Sequence, residues 1–248
     1  MRKTLLLLLN LTCLASFGQF NVYYDFSRPL GEEGQHIAAA HGINFGFEGR
    51  LKKSPFLLGA EVGLNYYGLK TIQQDLQFHN GYVTKTDVHY ATSFNTYAID
   101  LKLQPQTDKN VKPYGLIRTG LLHYHSNMTI DDPDDPLGCK PLEKKVLMKD
   151  MTWMASAGAG TSLSWRVFNP KSSSLIQLDF AVLYTMGGTA DYLKMIKDPD
   201  GVDPKGKLYY AQFENLQSGE VHDHPLGRVY SSITNLLTIR AGVRFIFD

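Results

Sequence analysis

The sequence predicts an all-β fold, an antiparallel transmembrane up-and-down β-barrel of eight strands. Three observations carry this: period-two alternation of apolar and polar residues in segment after segment, short and long connections in turn, and aromatic residues near the segment ends. No stretch beyond the N-terminus is long and apolar enough for a spanning helix, so the apolar content is spread as alternation, the weak but repeated signal of a membrane barrel.

The first residues place Arg2 and Lys3 before the apolar run Leu5–Leu9, continued by Leu11 and Leu14, and then Ala15, Ser16, Phe17 and Gly18. This is the charged, apolar and small-residue order of a secretory signal peptide, expected to be removed as residues 1–18 and to leave Gln19 first. Asn10 interrupts the run, which is also shorter than the about 20 residues a membrane anchor needs. Thr12 before Cys13 is not the small residue that lipoprotein processing uses, so Cys13 is expected to leave with the signal. Cys139 then stands alone, which excludes an intramolecular disulfide. Removing residues 1–18 takes Arg2 and Lys3 and no acid, so 25 basic and 24 acidic residues become 23 and 24. Near-neutrality gives no electrostatic basis for nucleic acid as a partner.

The expected strands are about 20–27, 35–51, 56–70, 88–104, 112–127, 149–168, 174–187 and 229–247. In 56–67, Phe56, Leu58, Ala60, Val62, Leu64 and Tyr66 share one face, and Gly59, Glu61, Gly63 and Asn65 share the other. In the last segment Ile233, Leu237, Ile239, Ala241, Val243, Phe245 and Phe247 oppose Thr234, Thr238, Arg240, Gly242 and Arg244. Charges in such segments are costly toward lipid and are assigned to the lumen. Two segments are less regular. In 88–104 Val88, Tyr90 and Phe94 oppose the parity of Tyr97, Ile99, Leu101 and Leu103, which points to a bulge or to a portion above the membrane. In 112–127 Leu116, Leu122 and Tyr124 compete with Ile117 and Leu121, so its faces stay unassigned.

Short polar connections at Lys52–Pro55, Pro105–Val111 and Asn169–Ser173 alternate with expected loops 28–34, 71–87, 128–148 and 188–228. Short turns face the periplasm in outer-membrane barrels, which puts both termini there. Phe56 and Tyr66, Trp153 and Trp165, and Tyr230 and Phe247 would mark lower and upper girdles. A soluble β-sandwich would bury the same alternation in a core, but its strands are usually shorter.

The segment ending before Gln19, the glycine-interleaved strands HGINFGFEGRL and LLGAEVGLNYYGL, and the terminus TIRAGVRFIFD resemble the small outer-membrane barrels of Bacteroidota called PorT-like, similar in architecture to OmpA and OmpX. The sequence closes on Asp248 rather than on an aromatic, with Phe245 and Phe247 just before it. The resemblance implies an outer-membrane location and an accessory part in protein secretion, and no residue here carries that role by itself.

Candidate chemistry is sparse. Glu48, Glu61, Asp100 and Asp179 face the lumen beside Arg50, Lys102, Arg166, Arg240 and Arg244, with Arg118 as a further candidate. An eight-stranded barrel is just wide enough for side chains to fill it, so these charges are expected to pair and plug it. A small channel or proton relay is the sharper alternative. His123, His125 and Ser126 in HYHSN are similar to the His and Ser of outer-membrane lipid A deacylases, but Tyr124 stands two before the Ser, where the deacylase pattern has its His. His222 and His224 could ligate a transition metal but lack the third or fourth ligand such sites need. Asp131, Asp132, Asp134 and Asp135 sit with Pro133 and Pro136 as a solvated loop would, and DPDGVDPKG departs from a calcium loop, with Tyr209 at the last position. No cofactor is expected. The reading is a non-catalytic barrel, in contact with outer-membrane lipid and lipopolysaccharide, whose loops engage an envelope or secretion-complex partner or serve envelope integrity. A lipid-modifying hydrolase is the alternative.

Overall fold

The computed structural model describes residues 18–51, 54–77, 83–107, 109–132, 142–167, 175–195, 206–214 and 221–247. Strands β1 (Gly18–Pro29), β2 (Ala40–Arg50), β3 (Phe56–Gln77), β4 (Val83–Leu103), β5 (Val111–Ile130), β6 (Glu143–Ser164) and β7 (Ile176–Met195) pair each with the next. Strand β8 (Lys207–Glu214) pairs only with β9 (Val221–Ile246), while β9 pairs with β7 and closes on β1. All pairings are antiparallel, so eight strands form a closed barrel and β8 is an appendage on the top of β9. From Phe20 the ladder partners run through Phe47, Ala60, Ile99, Thr119, Ala155, Met186 and Asn235. The circuit returns to β1 beside Leu30, whose N–H donates to Asn235 O at 2.8 Å. It comes back ten residues further along, the stagger that tilts the strands of a closed barrel.

The barrel is inverted relative to a soluble protein. Outward positions are apolar and exposed, as at Phe45, Val62, Val182 and Ile239, with Ile99 and Ile117 60% and 61% exposed, while the buried inward positions include Arg244, Lys102, Asp179 and Glu61. A wall of that kind is stable only when lipid, not water, covers it. Every strand backbone in the wall has two neighbours, which is what hydrocarbon requires. Heat-dependent mobility on detergent gels is therefore expected, with the folded protein running apart from the boiled one. Identical migration of boiled and unboiled refolded protein would count against closure.

A membrane strand needs about 9–11 residues, and β3, β6 and β9 have 22, 22 and 26. The excess stands beyond the membrane as paired hairpins around a second apolar core of Val88, Tyr90, Met128, Ile130 and Leu226. This corrects the expected loops: 71–87 narrows to 78–82, 128–148 to 131–142, and 188–228 holds the end of β7, all of β8 and the top of β9. Residues 35–39 are not strand. After β1, Gly31 takes a left-handed φ of 64°, open to glycine at little cost, and turns the chain into α1 (Glu33–His36). Residues 1–17, including Cys13 and nearly all of the expected signal segment, lie outside the described residues, as do Cys139, Asp134, Asp135 and most of DPDGVDPKG.

The irregular segments resolve through the upper lumen. Val88, Tyr90 and Phe94 point inward because the barrel's upper interior is apolar, and the bulge lies on the partner strand, between Tyr66 and Gly68 of β3. Leu122 and Tyr124 are inside as part of that apolar layer, Leu116 is inside lower down beside Tyr114 and Leu183, and Ile117 and Leu121 are outside. Tyr230 does not join an outer girdle: it is buried in the mouth, its ring stacked on His36 at 3.8 Å.

Candidate functional site

Glycine alternates with large polar residues on the inward faces and makes room for them. A Cβ at Gly160 would lie 2.5 Å from the Tyr114 ring, and one at Gly242 2.5 Å from Tyr23. Beside the Tyr23 ring Arg240 reaches across the lumen as a double fork. Its Nε and Nη2 donate to the two Asp25 oxygens at 2.8 and 2.7 Å, and Nη1 and Nη2 donate to Glu61 at 2.5 and 2.6 Å. Arg118 Nη1 donates to Glu61 Oε1 at 2.6 Å, and the Tyr23 ring lies 4.4 Å from the Arg240 guanidinium. Nearer the turn end, Arg244, Tyr114 and Ser162 all donate to Asp179, and Gln104 links Arg244 to Ser162. Lys102 Nζ donates to Glu48 Oε1 at 2.5 Å.

Of the predicted lumen residues, Glu48, Glu61, Lys102, Asp179, Arg240 and Arg244 are thus ion-paired. Asp100 is buried beside Arg118 in the ladder without an ion pair among the described residues, and its Oδ1 has no hydrogen-bond partner there. Arg50 sits half-buried at the lip and donates to the Ser54 and Gln104 carbonyls. Arg166 is a correction: β6 ends at Ser164, and a short 3₁₀ turn, Trp165–Val167, carries Arg166 to an exposed position outside the lumen. Sequence reasoning left Asp25 out of the network although its strand parity placed it inward, and left Arg118 a candidate because its strand had two competing apolar faces.

Above the ions a cavity of about 10 Å³ separates them from an aromatic plug. Tyr67, Phe94, Tyr124, Tyr192 and Tyr230 follow one another at centroid spacings of 5.7 to 6.4 Å. Helix α1 folds in over them because β1 and β2 stop at Pro29 and Ala40 while their neighbours continue. Its Glu33 is 1% exposed, receiving a hydrogen bond from Tyr124 Oη at 2.6 Å and another from the Asn235 N–H at 3.0 Å. Burial pushes the Glu33 carboxyl up to about 7, with the two hydrogen bonds opposing. The native state then holds a proton that the unfolded chain has lost between about pH 4.5 and 7, so stability falls as pH rises through that window. Protection of the Asn235 amide against hydrogen exchange, corrected for intrinsic rate, should decline from pH 5 to 7.5, and Glu33→Gln should flatten that decline. An equal slope in the variant would rule Glu33 out as its source.

The HYHSN residues do not converge. Strand alternation turns the His123 and His125 rings outward, stacked at 5.5 Å, while Ser126 is fully buried on the inner side. His125 instead meets Ser93 Oγ, 3.0 Å from Nε2. His222 and His224 pair through their backbones with Phe213 and Ala211, and their side chains lie outside the described ones. Among the described residues no three His, Cys, Asp or Glu side chains gather as metal ligands.

No family model and no curated protein matches the chain. Among solved structures it is similar to Neisserial surface protein A (11% identity, TM-score 0.41, covering 93% of this chain and 96% of that one). It is similar also to a major outer membrane protein from Thermus thermophilus (10%, 0.45, 93% and 98%) and to the outer membrane protease OmpT from Escherichia coli (9%, 0.40, 93% and 97%). The closed ladder, the lipid-facing apolar wall and the charged interior define the class: a transmembrane β-barrel of the outer-membrane type. Within that class it is an eight-stranded barrel with a filled lumen, ions at the turn end and an aromatic plug under a folded-in helix at the other.

Proposed function

We propose that the chain is exported with loss of residues 1–18, inserts in the outer membrane with both termini periplasmic, and acts without catalysis through its long-hairpin end, facing outside. The observation that carries this reading is the filling of the lumen from the Asp179 cluster to Tyr230, beside hairpins that continue well past the membrane. Surface is then offered where binding on rigid scaffolds is usual. Lipopolysaccharide is the expected neighbour of the wall, and an envelope or secretion-complex protein the expected partner of the hairpins, in keeping with the resemblance to PorT-like barrels. Leu69→Cys in a Cys139→Ser background should react with a membrane-impermeant maleimide on intact cells; labelling only after lysis would reverse the topology. Replacing 207–224 by a short turn should keep heat-dependent mobility and lose a partner that copurifies with the intact protein in mild detergent. Retention of that partner, or its absence from the intact protein, would go against the hairpins as the binding element.

A second reading, a lipid-modifying hydrolase, is favoured by one contact, that between Ser93 and His125 on the outer wall. Ser93 is 2% exposed, which works against it as a nucleophile. A changed lipid A acylation pattern after deletion of the gene, restored by wild type and not by Ser93→Ala, would establish this reading over the first.

A further inference from the structure

Strand β3 outruns its neighbour. The ladder between β2 and β3 ends at the pair His41 and Tyr66, so residues 67–77 of β3 pair with β4 alone among the described residues. One contact fixes where the free groups point. The Asp131 N–H donates to the Asp87 carbonyl at 3.0 Å, which turns Asp87 toward β5. Backbone groups alternate in direction along a strand, so Val88 and Tyr90 face β3, where their partners are Ile72 and Lys70. Leu69, Thr71 and Gln73 therefore aim their N–H and C=O groups away from β4, at the place that β2 has left.

A long open edge is a template for another chain, and proteins blunt such edges with prolines, short strands or a covering element. Residues 67–77 hold no proline. The chain after α1 comes near only at the foot, across a cavity of about 270 Å³ with Ile37, Tyr67 and Leu193 among its walls. On the outward face Leu69 is 76% exposed, the most of any large apolar side chain among the described residues, and it stands beyond Tyr66, past the lipid-facing pattern. An added strand would cover Leu69 with a cross-strand neighbour and send a side chain of its inner face into the cavity. The chain's own connection from β7 to β8 starts and ends beside β9, Met195 pairing with Gly227 and Lys207 with Val229, so it is not anchored next to β3.

We infer that the open edge of β3 receives an extended segment of the partner protein, added as a strand antiparallel to β3 in the direction that β2 takes below. Backbone hydrogen bonds to Leu69, Thr71 and Gln73 supply the attraction, and an apolar side chain seated in the cavity supplies selectivity. This deepens the reading of the hairpin end as a protein-binding surface and rests on it.

The test uses the full mature chain refolded in lipid nanodiscs, with amide hydrogen exchange read residue by residue by NMR. The probe is a capped heptapeptide of alternating threonine and valine that begins and ends on threonine. In the protein alone Ile72 should exchange slowly and Thr71 and Gln73 fast, and the peptide should slow Leu69, Thr71 and Gln73 saturably. Residues opposite those three share their outward face, which the threonines take when the valines point inward. N-methylation of the threonines should therefore abolish the protection, and N-methylation of the valines should leave it. Thr71→Pro, which removes an N–H from the open edge and none from the ladder with β4, should weaken binding about tenfold or more, and Thr71→Ala should not. Heat-dependent mobility shows that each variant is folded, and the N-methylated peptides test the edge without any substitution. Slow exchange of Thr71 and Gln73 in the protein alone, which would mean that the chain fills its own edge, would overturn the inference. So would the absence of saturable slowing, or an equal response to the peptide with methylated threonines. In cells, a partner lost on replacing 207–224 but kept by Thr71→Pro would leave the hairpins as the binding element and overturn strand addition. Protection by the peptide without any copurifying partner would sustain the edge and sink the wider reading.

Discussion

Arg240→Ala should be the most damaging single substitution in the barrel. It removes four charge-assisted hydrogen bonds and leaves Asp25 and Glu61 facing each other in a dry interior, with only Arg118 left on Glu61. Removing one partner of a buried pair costs about 3–5 kcal/mol, because the stranded charge keeps its desolvation penalty. That is a large fraction of the roughly 5–15 kcal/mol by which proteins are stable. The urea midpoint of refolded protein, read by the folded band on unboiled gels, should drop sharply. Asp100→Asn is the contrast. Below the aromatic plug five buried carboxyls, Asp25, Glu48, Glu61, Asp100 and Asp179, share the lumen with four bases, Lys102, Arg118, Arg240 and Arg244, and of the five Asp100 is the one without an ion pair among the described residues. Its neutral isostere should leave the midpoint unchanged or raise it, since an unpaired buried charge gains nothing by staying. Wild-type behaviour of Arg240→Ala, or a collapse of Asp100→Asn, would show that the network is apportioned differently.

The second large effect is an absence of current. Water-filled channels belong to barrels of about 16 strands, whereas eight leave an interior that side chains can fill. Here they fill it twice, with ion pairs at the turn end and with Phe94, Tyr124, Tyr192 and Tyr230 above, and the space between the two layers is about 10 Å³, room for about one water. Refolded protein in planar bilayers should show no stable porin-like conductance. A reproducible channel that shifts when Arg240 or Glu61 is changed to Ala would place the conduction path through the ion network and overturn the filled lumen.

Most of the lower half of the barrel was legible in the sequence because its strands largely obey one rule, apolar toward lipid and polar toward the lumen, with Leu116 and Leu183, buried beside Tyr114, as departures. Glu61 between Val62 and Ala60, or Arg240 between Ile239 and Ala241, has only one face on which it can sit. The upper half breaks that rule. Once the interior itself becomes apolar, Tyr90, Phe94 and Tyr124 read as errors of parity, and the hairpins beyond the membrane lose the contrast by which strands are recognised.

By itself the sequence determined the barrel, its eight strands and the residues able to face the lumen, since these follow from a period of two and from the cost of charge in lipid. Tertiary structure decided which charges meet. The ten-residue stagger brings Arg240 to Asp25 across the closing seam and Glu61 to it from β3, and no single strand records that register. It also decided that Arg166 falls outside, that His125 and Ser126 face opposite ways, and that Glu33, in what reads as a polar loop, is carried by α1 into the mouth. Alternation fixes the face a side chain takes on its own strand, but its partners depend on how far neighbouring strands slide past one another and on where a connection turns inward.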